Sequence, residues 1–583
     1  MQTPATQPEE AVLQESIPAP QPYELLPPGS LAAYVEEDRP FSYVIEQGGE
    51  LLQRVIAALL HYPPTPGARP TPTTVICVDP GKFSNKVGGI QQRRHVERDG
   101  VEYEEDVEPR FVHVNEPVSL KIAERATFSE GPSAQTWRLL STSTHLASGK
   151  EGERAAPFTF EEPYLIGKEA THGTESDAIP VYDEFHLRWR LALYKAVWYA
   201  SIAKAALAIG LRPTLKYIDE PGGGPDQHER REVKGEEVEA HHIVLCVCLP
   251  DNELYDHDGK VTLLPETRAA LEEAKGPFLI EWTDAKGREW LLKLDVVKVD
   301  LIAQTMGAWL SLFSDIAGNP VTITRQDDDG KEFTVEGNVI IDEWGGGDRQ
   351  RGRFQLEGRR PRMFAEKLEE GTHLVAEALR QKVYAQYRVR PSLAQAQLAL
   401  ATGKLDLGGD PIDISPLLDQ LRKTRFEKLL TSALVTDEVR VRFWIHVGGG
   451  VSFLYRQLAE FILANGIKPY RFLLVRGKAS TLMPLIGGWA WAYLRLLEDL
   501  RKLRQQEVSQ EHYRSDLKRR LNLALSHVPY TNAGWVRMET SLKTLLTRAE
   551  EVPSWAGHLE DLQGLDREFQ ELLPQQPWLN GQK

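Results

Sequence analysis

The chain is 583 residues long, 41% hydrophobic and 26% charged, a globular composition with room for two to four domains of about 150 residues each. Its formal net charge of −15 argues against an overall electrostatic grip on nucleic acid or on an anionic membrane, leaving room only for a local basic patch. Three cysteines are too few for a disulfide framework and fit a reducing compartment.

No stretch reads as a membrane span. The most apolar one, between Lys478 and Arg495, has 16 uncharged residues and is interrupted by Pro484 and Gly487-Gly488, whereas a span needs about 20 apolar residues. No Lys or Arg precedes Arg39, so the basic start of a signal peptide is missing, and a soluble cytoplasmic protein is expected.

In chain order, residues 1–38 are rich in Pro, Gln and Glu and read as a flexible acidic leader. Val44, Leu51, Leu52, Val55, Ile56 and Leu59 recur at helical spacing and predict a short helix over Ser42–His61. Pro63, Pro64, Pro66, Pro70 and Pro72 then form a stiff linker. Strand and helix patterns alternate from Thr73 onward. Strands are expected at Val75–Val78, within Phe111–Ile122, and at Ile243–Leu249, Val296–Val299, Val339–Ile341 and Val441–Val447. Helices are expected at Phe185–Ile209, Gly371–Ala385, Pro416–Val435 and Phe453–Ala464, with a charged surface insert at Asp219–Ala240. This alternation predicts an α/β body with helices on both sheet faces. Beyond Gly488 leucines recur every three or four residues, as at Leu494, Leu497 and Leu500 and then Leu517, Leu521 and Leu525, predicting a helical tail.

Three glycine-rich turns stand out. Val75-Ile-Cys-Val-Asp79-Pro-Gly81-Lys-Phe-Ser84-Asn85-Lys86 is an apolar strand that delivers an Asp into a small polar turn with a lysine. An Asp at a strand end can hold a hydrated Mg²⁺, and small turn residues let backbone N–H groups approach phosphate. A β-hairpin turn would use the same residue types. The second is Val339-Ile-Ile-Asp342-Glu343-Trp344-Gly345-Gly346-Gly347-Asp348, again a buried strand running into carboxylates and glycines. The third, Phe443-Trp-Ile-His446-Val-Gly448-Gly449-Gly450, is a strand and glycine turn ahead of a helix, where a nucleotide base or phosphates can lie on the backbone. Of the remaining candidates, Cys246 and Cys248 lie on one strand face and read as core, and so does His446. The arginine run from Arg349 to Arg362 reads as a solvated turn region, and Trp489 and Trp491 as anchors of the tail.

The order and separation of the three turns resemble the actin/Hsp70/sugar-kinase ATPase superfamily, and within it bacterial actin-like proteins of the ParM plasmid-segregation type, over roughly residues 74–487. Asp79-Pro-Gly81 to Lys86 resembles the first phosphate motif, Asp342/Glu343 with Gly345–Gly347 the second, and Val447–Gly450 the adenosine motif. Tyr164–Ala170, Cys248-Leu249-Pro250, Val299–Ala308 and Arg471–Gly477 resemble the intervening family segments in the expected order. The second motif departs from the family pattern D-x-G-G-x-T. Either Asp342 or Glu343 is its acid, and Asp348 and Arg349 stand where threonines are usual.

The resemblance implies an α/β, actin-like two-lobed ATPase fold of duplicated RNase H-like domains. Lobe I would span 73–303 and lobe II 304–487, with a disordered leader, helix and linker at 1–72 and an α-helical C-terminal appendage at 488–583. It implies ATP and Mg²⁺ as ligands. Gly81, Ser84, Asn85, Lys86 and Gly345–Gly347 would surround the phosphates, and Gly448, Gly449 and Gly450 the adenosine. Asp79 and Asp342 would hold the metal; Gln304, with Asp342 or Glu343, would serve hydrolysis to ADP and phosphate. The implied function is a filament-forming ATPase that segregates plasmid DNA or positions cargo, with itself as partner, a separate basic adaptor touching DNA, no direct nucleic-acid contact and no membrane span. The alternatives are a non-polymerising regulatory or scaffold member with weak turnover, or, with no sugar-binding signature in sight, a metabolite kinase.

Overall fold

In a computed structural model, the described residues are 35–37 and 74–572, apart from 82–83, 99–100, 123–135, 143–159, 167–176, 179–183, 222–227, 285, 315–321, 328, 347, 358–359, 369–370, 372, 392–394, 397–398, 401–402, 406–410, 422–442, 452–457, 459–460, 463–466, 527, 529–532 and 554–556.

Five strands form the heart of the first sheet. β1 (Thr74–Pro80), β2 (Ser84–Arg98) and β3 (Val101–Pro117) are consecutive antiparallel neighbours. β4 (Ala240–Leu249) and β5 (Glu289–Ala303) add in parallel on the other side of β1. The resulting order is 3-2-1-4-5. The second sheet repeats it. β6 (Val339–Trp344), β7 (Arg349–Glu357) and β8 (Arg360–Leu368) run antiparallel, and β9 (Phe443–Val447) and β10 (Phe472–Arg476) continue in parallel from β6. The chain therefore holds two copies of one β-β-β-α-β-α-β plan, the duplicated RNase H-like arrangement expected of the actin-like fold.

The central strands follow from their sequences. β1, β4, β6 and β9 are short, nearly continuous apolar runs, and Ile243–Leu249 and Val339–Trp344 are buried throughout. Such runs belong to parallel strands covered on both faces, where alternation with polar residues would leave side chains unsatisfied. The first sheet continues beyond β5 through antiparallel strands such as Gly276–Thr283, Thr136–Thr142 and Phe160–Ile166. Val35–Glu37, within the segment read as a leader, pairs in parallel with β10; the rest of the expected leader, helix and linker lies outside the described residues.

Several elements differ in extent from expectation. The helix expected over Phe185–Ile209 is broken at Arg190–Leu191, giving Phe185–Trp189 and α1 (Ala192–Ala208). The break lets Phe185 and Trp189 pack back on Trp198, each with ring centroids 5.5 Å from it. The charged insert contains a hairpin, Tyr217–Pro221 with His228–Glu232. The strand expected at Val296–Val299 extends over Glu289–Ala303.

Each sheet's last strand feeds a helix without a loop. β5 leads directly into α2 (Gln304–Phe313), and β10 into α3 (Gly477–Ser526). The two helices cross in near backbone contact. A Cβ on Gly487 would lie 1.8 Å from the Gly307 carbonyl oxygen, and one on Gly307 would lie 2.4 Å from that of Pro484. Only glycine fits at such a crossing. The Ser311 hydroxyl adds a bond to the Met483 carbonyl at 2.7 Å, and the Trp489 indole donates to the Val75 carbonyl at 3.0 Å. The expected boundary at 487/488 thus falls inside one continuous helix.

Residues 492–572 belong to a second compact unit. The end of α3, α4 (Ala533–Glu551) and α5 (Leu559–Leu572) bury Leu517, Leu521, Leu542, Leu545, Leu562 and Phe569 against one another. Among the described residues no helix is long and apolar enough to cross a membrane.

Candidate functional site

The duplication brings two equivalent hairpins to one place. In the first, Asp79 at the end of β1 pairs with Lys86 on β2; in the second, Glu343 near the end of β6 pairs with Gln350 on β7. The same seven-residue step separates acid and partner in both. The repeat thus makes Glu343 the counterpart of Asp79, and Gln350 the counterpart of Lys86.

Asp79 is buried and accepts two hydrogen bonds, from Lys86 Nζ at 2.7 Å and from Gln304 Nε2 at 2.6 Å. Gln304 is the first residue of α2, so the end of β5 aims its amide directly at the end of β1. Burial alone would lower the Lys86 pKa, but Asp79 and Glu343 offset it and hold the ammonium above its ordinary value. Glu343 is buried as well. Burial pushes its carboxyl up to about 8; Lys86 opposes this, while Asp79, Asp348 and Asp251 add to it. Three further carboxyl groups therefore act on Glu343, and Lys86 faces Glu343 and Asp79.

Gln350 was not singled out in the sequence. Its side chain is fully buried, and neither its amide nitrogen nor its amide oxygen has a hydrogen-bond partner among the described residues. An amide left this way costs roughly 1–3 kcal/mol, which a bound polar ligand or water would recover. The seven-residue step from Asp79 to Lys86, applied to Glu343, is the signal that finds it.

Asp342 lies on the other face of the strand, because neighbouring residues alternate. Its carboxylate takes both Arg351 Nε at 2.6 Å and Arg351 Nη2 at 2.8 Å, with both side chains almost completely buried. Burial opposes its charge, but Arg351 prevails and leaves the carboxyl below its usual range. Asp342 is therefore held by Arg351 on the face away from Asp79, and of the two adjacent acids Glu343 is the one on the side of Asp79 and Lys86. Arg349 and Arg351 are also buried rather than solvated, drawn in by Trp344, whose ring lies 4.6 Å from the Arg349 guanidinium, and by Asp342. His446 packs behind the site, accepting from Trp344 Nε1 at 3.0 Å, and burial pushes its pKa down to about 3, so it is neutral.

The glycine turns form the surroundings. Gly345 and Gly346 are half-buried beside Glu343, and Gly347 lies outside the described residues. Gly448 has φ +99, and a Cβ there would meet the Trp344 backbone at 2.7 Å and Glu343 Oε1 at 2.9 Å. Gly449 is half-buried, and a Cβ there would make ordinary contact with Thr481 Oγ1 at 3.7 Å, while Gly450 is buried. Gly81 and Ser84 are half-buried in the first turn. Asn85 points away from Lys86 into the core, where Tyr194 donates to it at 3.4 Å. The three cysteines are buried, with Cys77 Sγ 3.5 Å from Cys248 Sγ.

Among the described residues no three His, Cys, Asp or Glu side chains form a ready metal cage. Mg²⁺ does not require one, since it is commonly held by one or two carboxylates plus phosphate and water. Asp79 and Glu343, beside a lysine and an unpartnered amide, fit a Mg-nucleotide.

No family model and no curated protein matches the chain. Solved structures do. Alp7A, an actin-like protein, matches at TM-score 0.47 and 11% identity over 74% of this chain and 98% of its own. ParM of Bacillus thuringiensis with ATP matches at 0.42 and 14% over 73% and 99%. Ta0583, an archaeal actin homolog in complex with ADP, matches at 0.40 and 14% over 73% and 99%. With TM-scores below 0.5 in all three, the fold assignment rests on strand order and register. By that order, repeated in two sheets and joined by crossing helices, the chain has the duplicated two-lobed fold of the actin-like proteins.

Proposed function

We propose that this chain binds Mg-ATP between its two lobes, hydrolyses it to ADP and phosphate, and uses the nucleotide state to control assembly of its own copies into filaments. The observation that carries this reading is the pair of equivalent hairpins that set Asp79, Lys86, Glu343 and Gln350 around one point, with Gln304 bound to Asp79. A metallo-nucleotide needs this mixture of anionic, cationic and amide groups, and a packed core does not.

Lys86 supplies positive charge toward phosphate. Asp79 would supply the negative charge that a divalent cation requires, joined by Glu343 once its raised carboxyl gives up its proton, and the cation would neutralise charge developing on the phosphates. Gln304, held in place by its bond to Asp79, orients the attacking water, and the Gln350 amide offers a second polar contact. The turn at Gly448–Gly450, with Gly449 its half-exposed residue, would offer backbone to the adenosine. Phosphate release then biases the crossing of α2 over α3, the hinge through which the lobes move.

Asp348 favours a second reading, a nucleotide-binding scaffold with little turnover, because it adds negative charge beside Glu343 where the phosphates would lie. Phosphate release measured alongside nucleotide binding separates the two. The ATPase reading expects turnover in the wild type and a fall of about 10- to 100-fold in Gln304→Ala with binding retained. Tight binding without turnover in the wild type selects the scaffold. Full turnover in Gln304→Ala overturns the role given to that residue.

A further inference from the structure

The hairpin of β2 and β3 is longer than the sheet needs. β1 pairs with β2 only from Cys77 to Pro80, opposite Gly88 back to Asn85. The ribbon itself continues in register to the pair Arg98↔Val101. From Gln91 to Arg98 it extends about 25 Å at the strand rise of about 3.4 Å per residue, toward the end of β1 opposite Asp79. Among the described residues β3 is the edge of its sheet, and no strand pairs with β2 on its other side beyond Gly88. Two strand edges are thus available to hydrogen-bond another strand.

The two edges differ in charge. The distal part of β2 carries Arg93, Arg94, His95 and Arg98, with Glu97 the one acid. The facing part of β3 carries Glu102, Glu104, Glu105, Asp106 and Glu108, with Arg110 the one base. Within the ribbon the register sets Arg93 opposite Asp106 and Arg94 opposite Glu105, with Glu97 opposite Glu102 the one like pair. Outside it, an acidic edge meeting an acidic edge, or a basic one a basic one, would set like charges side by side, which is unfavourable. The arrangement that continues the alternation is basic edge against acidic edge.

We propose that this ribbon is a self-association surface, the β2 edge of one copy pairing with the β3 edge of a second copy. Unlike edges make the contact heterologous. It repeats head to tail and builds an open array instead of closing into a two-fold dimer. The surface lies at the far end of the strands from Asp79, so assembly leaves the nucleotide cleft accessible. The inference rests on the reading of the chain as a self-assembling protein.

The test uses the full chain in three charge variants, each checked for nucleotide binding, which the ribbon does not touch. Glu104→Lys/Glu105→Lys/Asp106→Lys makes both edges basic, Arg93→Glu/Arg94→Glu/Arg98→Glu makes both acidic, and the six changes together swap them. Sedimentation with ATP and Mg²⁺ is expected to show assembly of the wild type, weakened by added salt. The critical concentration of each single-edge variant alone should rise at least about tenfold. Assembly should return when those two variants are mixed, and in the swapped chain. Unchanged assembly of both single-edge variants overturns the ribbon while leaving filament formation standing, as does failure of both the mixture and the swapped chain. A wild type that assembles under no nucleotide overturns filament formation and the ribbon together, and leaves the nucleotide site to its own binding test.

Discussion

At the residue scale, the proposed chemistry turns on which of two adjacent carboxylates faces Asp79 and Lys86. The sequence offers Asp342 and Glu343 side by side, and both reach a glycine turn. What separates them is the face of β6, set by register: Asp342↔Arg351 is one pair and Glu343↔Gln350 the next. The two sites make opposite predictions. Glu343 has a carboxyl raised by burial to about 8 in the fold, against an ordinary value of 4.5. Between those values the unfolded chain has lost its proton and the folded chain has not, so stability falls as pH rises through this window. Asp251, raised by burial to about 7, has the same sign. Glu343→Gln removes one of these contributions. Its unfolding midpoint in urea, without nucleotide, should exceed that of the wild type at pH 8 and approach it near pH 5, the difference growing by about 1 kcal/mol per pH unit. For the other face, Arg351→Met leaves Asp342 buried and unpaired and should cost about 3–5 kcal/mol. The double variant Asp342→Leu/Arg351→Met should recover most of that loss. Equal destabilisation of the single and double variants in the same denaturation experiment would show that the pair is not what holds this face together.

At the element scale, glycine is where sequence and structure correspond best, for reasons that differ by position. The turns after β1, β6 and β9 were legible because an apolar run ending in Asp, Glu or His followed by glycines is an uncommon pattern. Gly487-Gly488 was legible only as a break in hydropathy. The structure gives it a cause, the close crossing of α2 and α3 that an intervening side chain would block. Nothing in local sequence reveals a contact between residues 307 and 487, because it depends on both sheets having formed. Gly487→Val should therefore destabilise the chain by about 1–3 kcal/mol through overpacking. It should also lower phosphate release more than nucleotide affinity, since both lobes persist but their crossing is displaced. Normal turnover in that variant, assayed beside its thermal midpoint, would remove α2 and α3 as the hinge. The long ribbon of β2 and β3 was missed for a similar reason: its distal residues 91–98 and 101–110 are mostly polar and charged, and their register comes from pairing with each other.

At the scale of the whole molecule, composition and motif order anticipated a body and a tail, and the structure adds how the body is made. Two sheets with one strand order place the ends of their first strands together, so each repeat contributes one acid and one partner to the proposed nucleotide site. Gln350 became visible only through that duplication. The central claim is that this site takes a Mg-nucleotide. It is tested most directly by calorimetric titration of ATP with Mg²⁺ into the wild type and Asp79→Ala. The account expects saturable binding of one nucleotide per chain, weakened about 100-fold, or about 2.7 kcal/mol, by the substitution. Equal affinity in the two proteins, or no binding to a folded wild type, would contradict it.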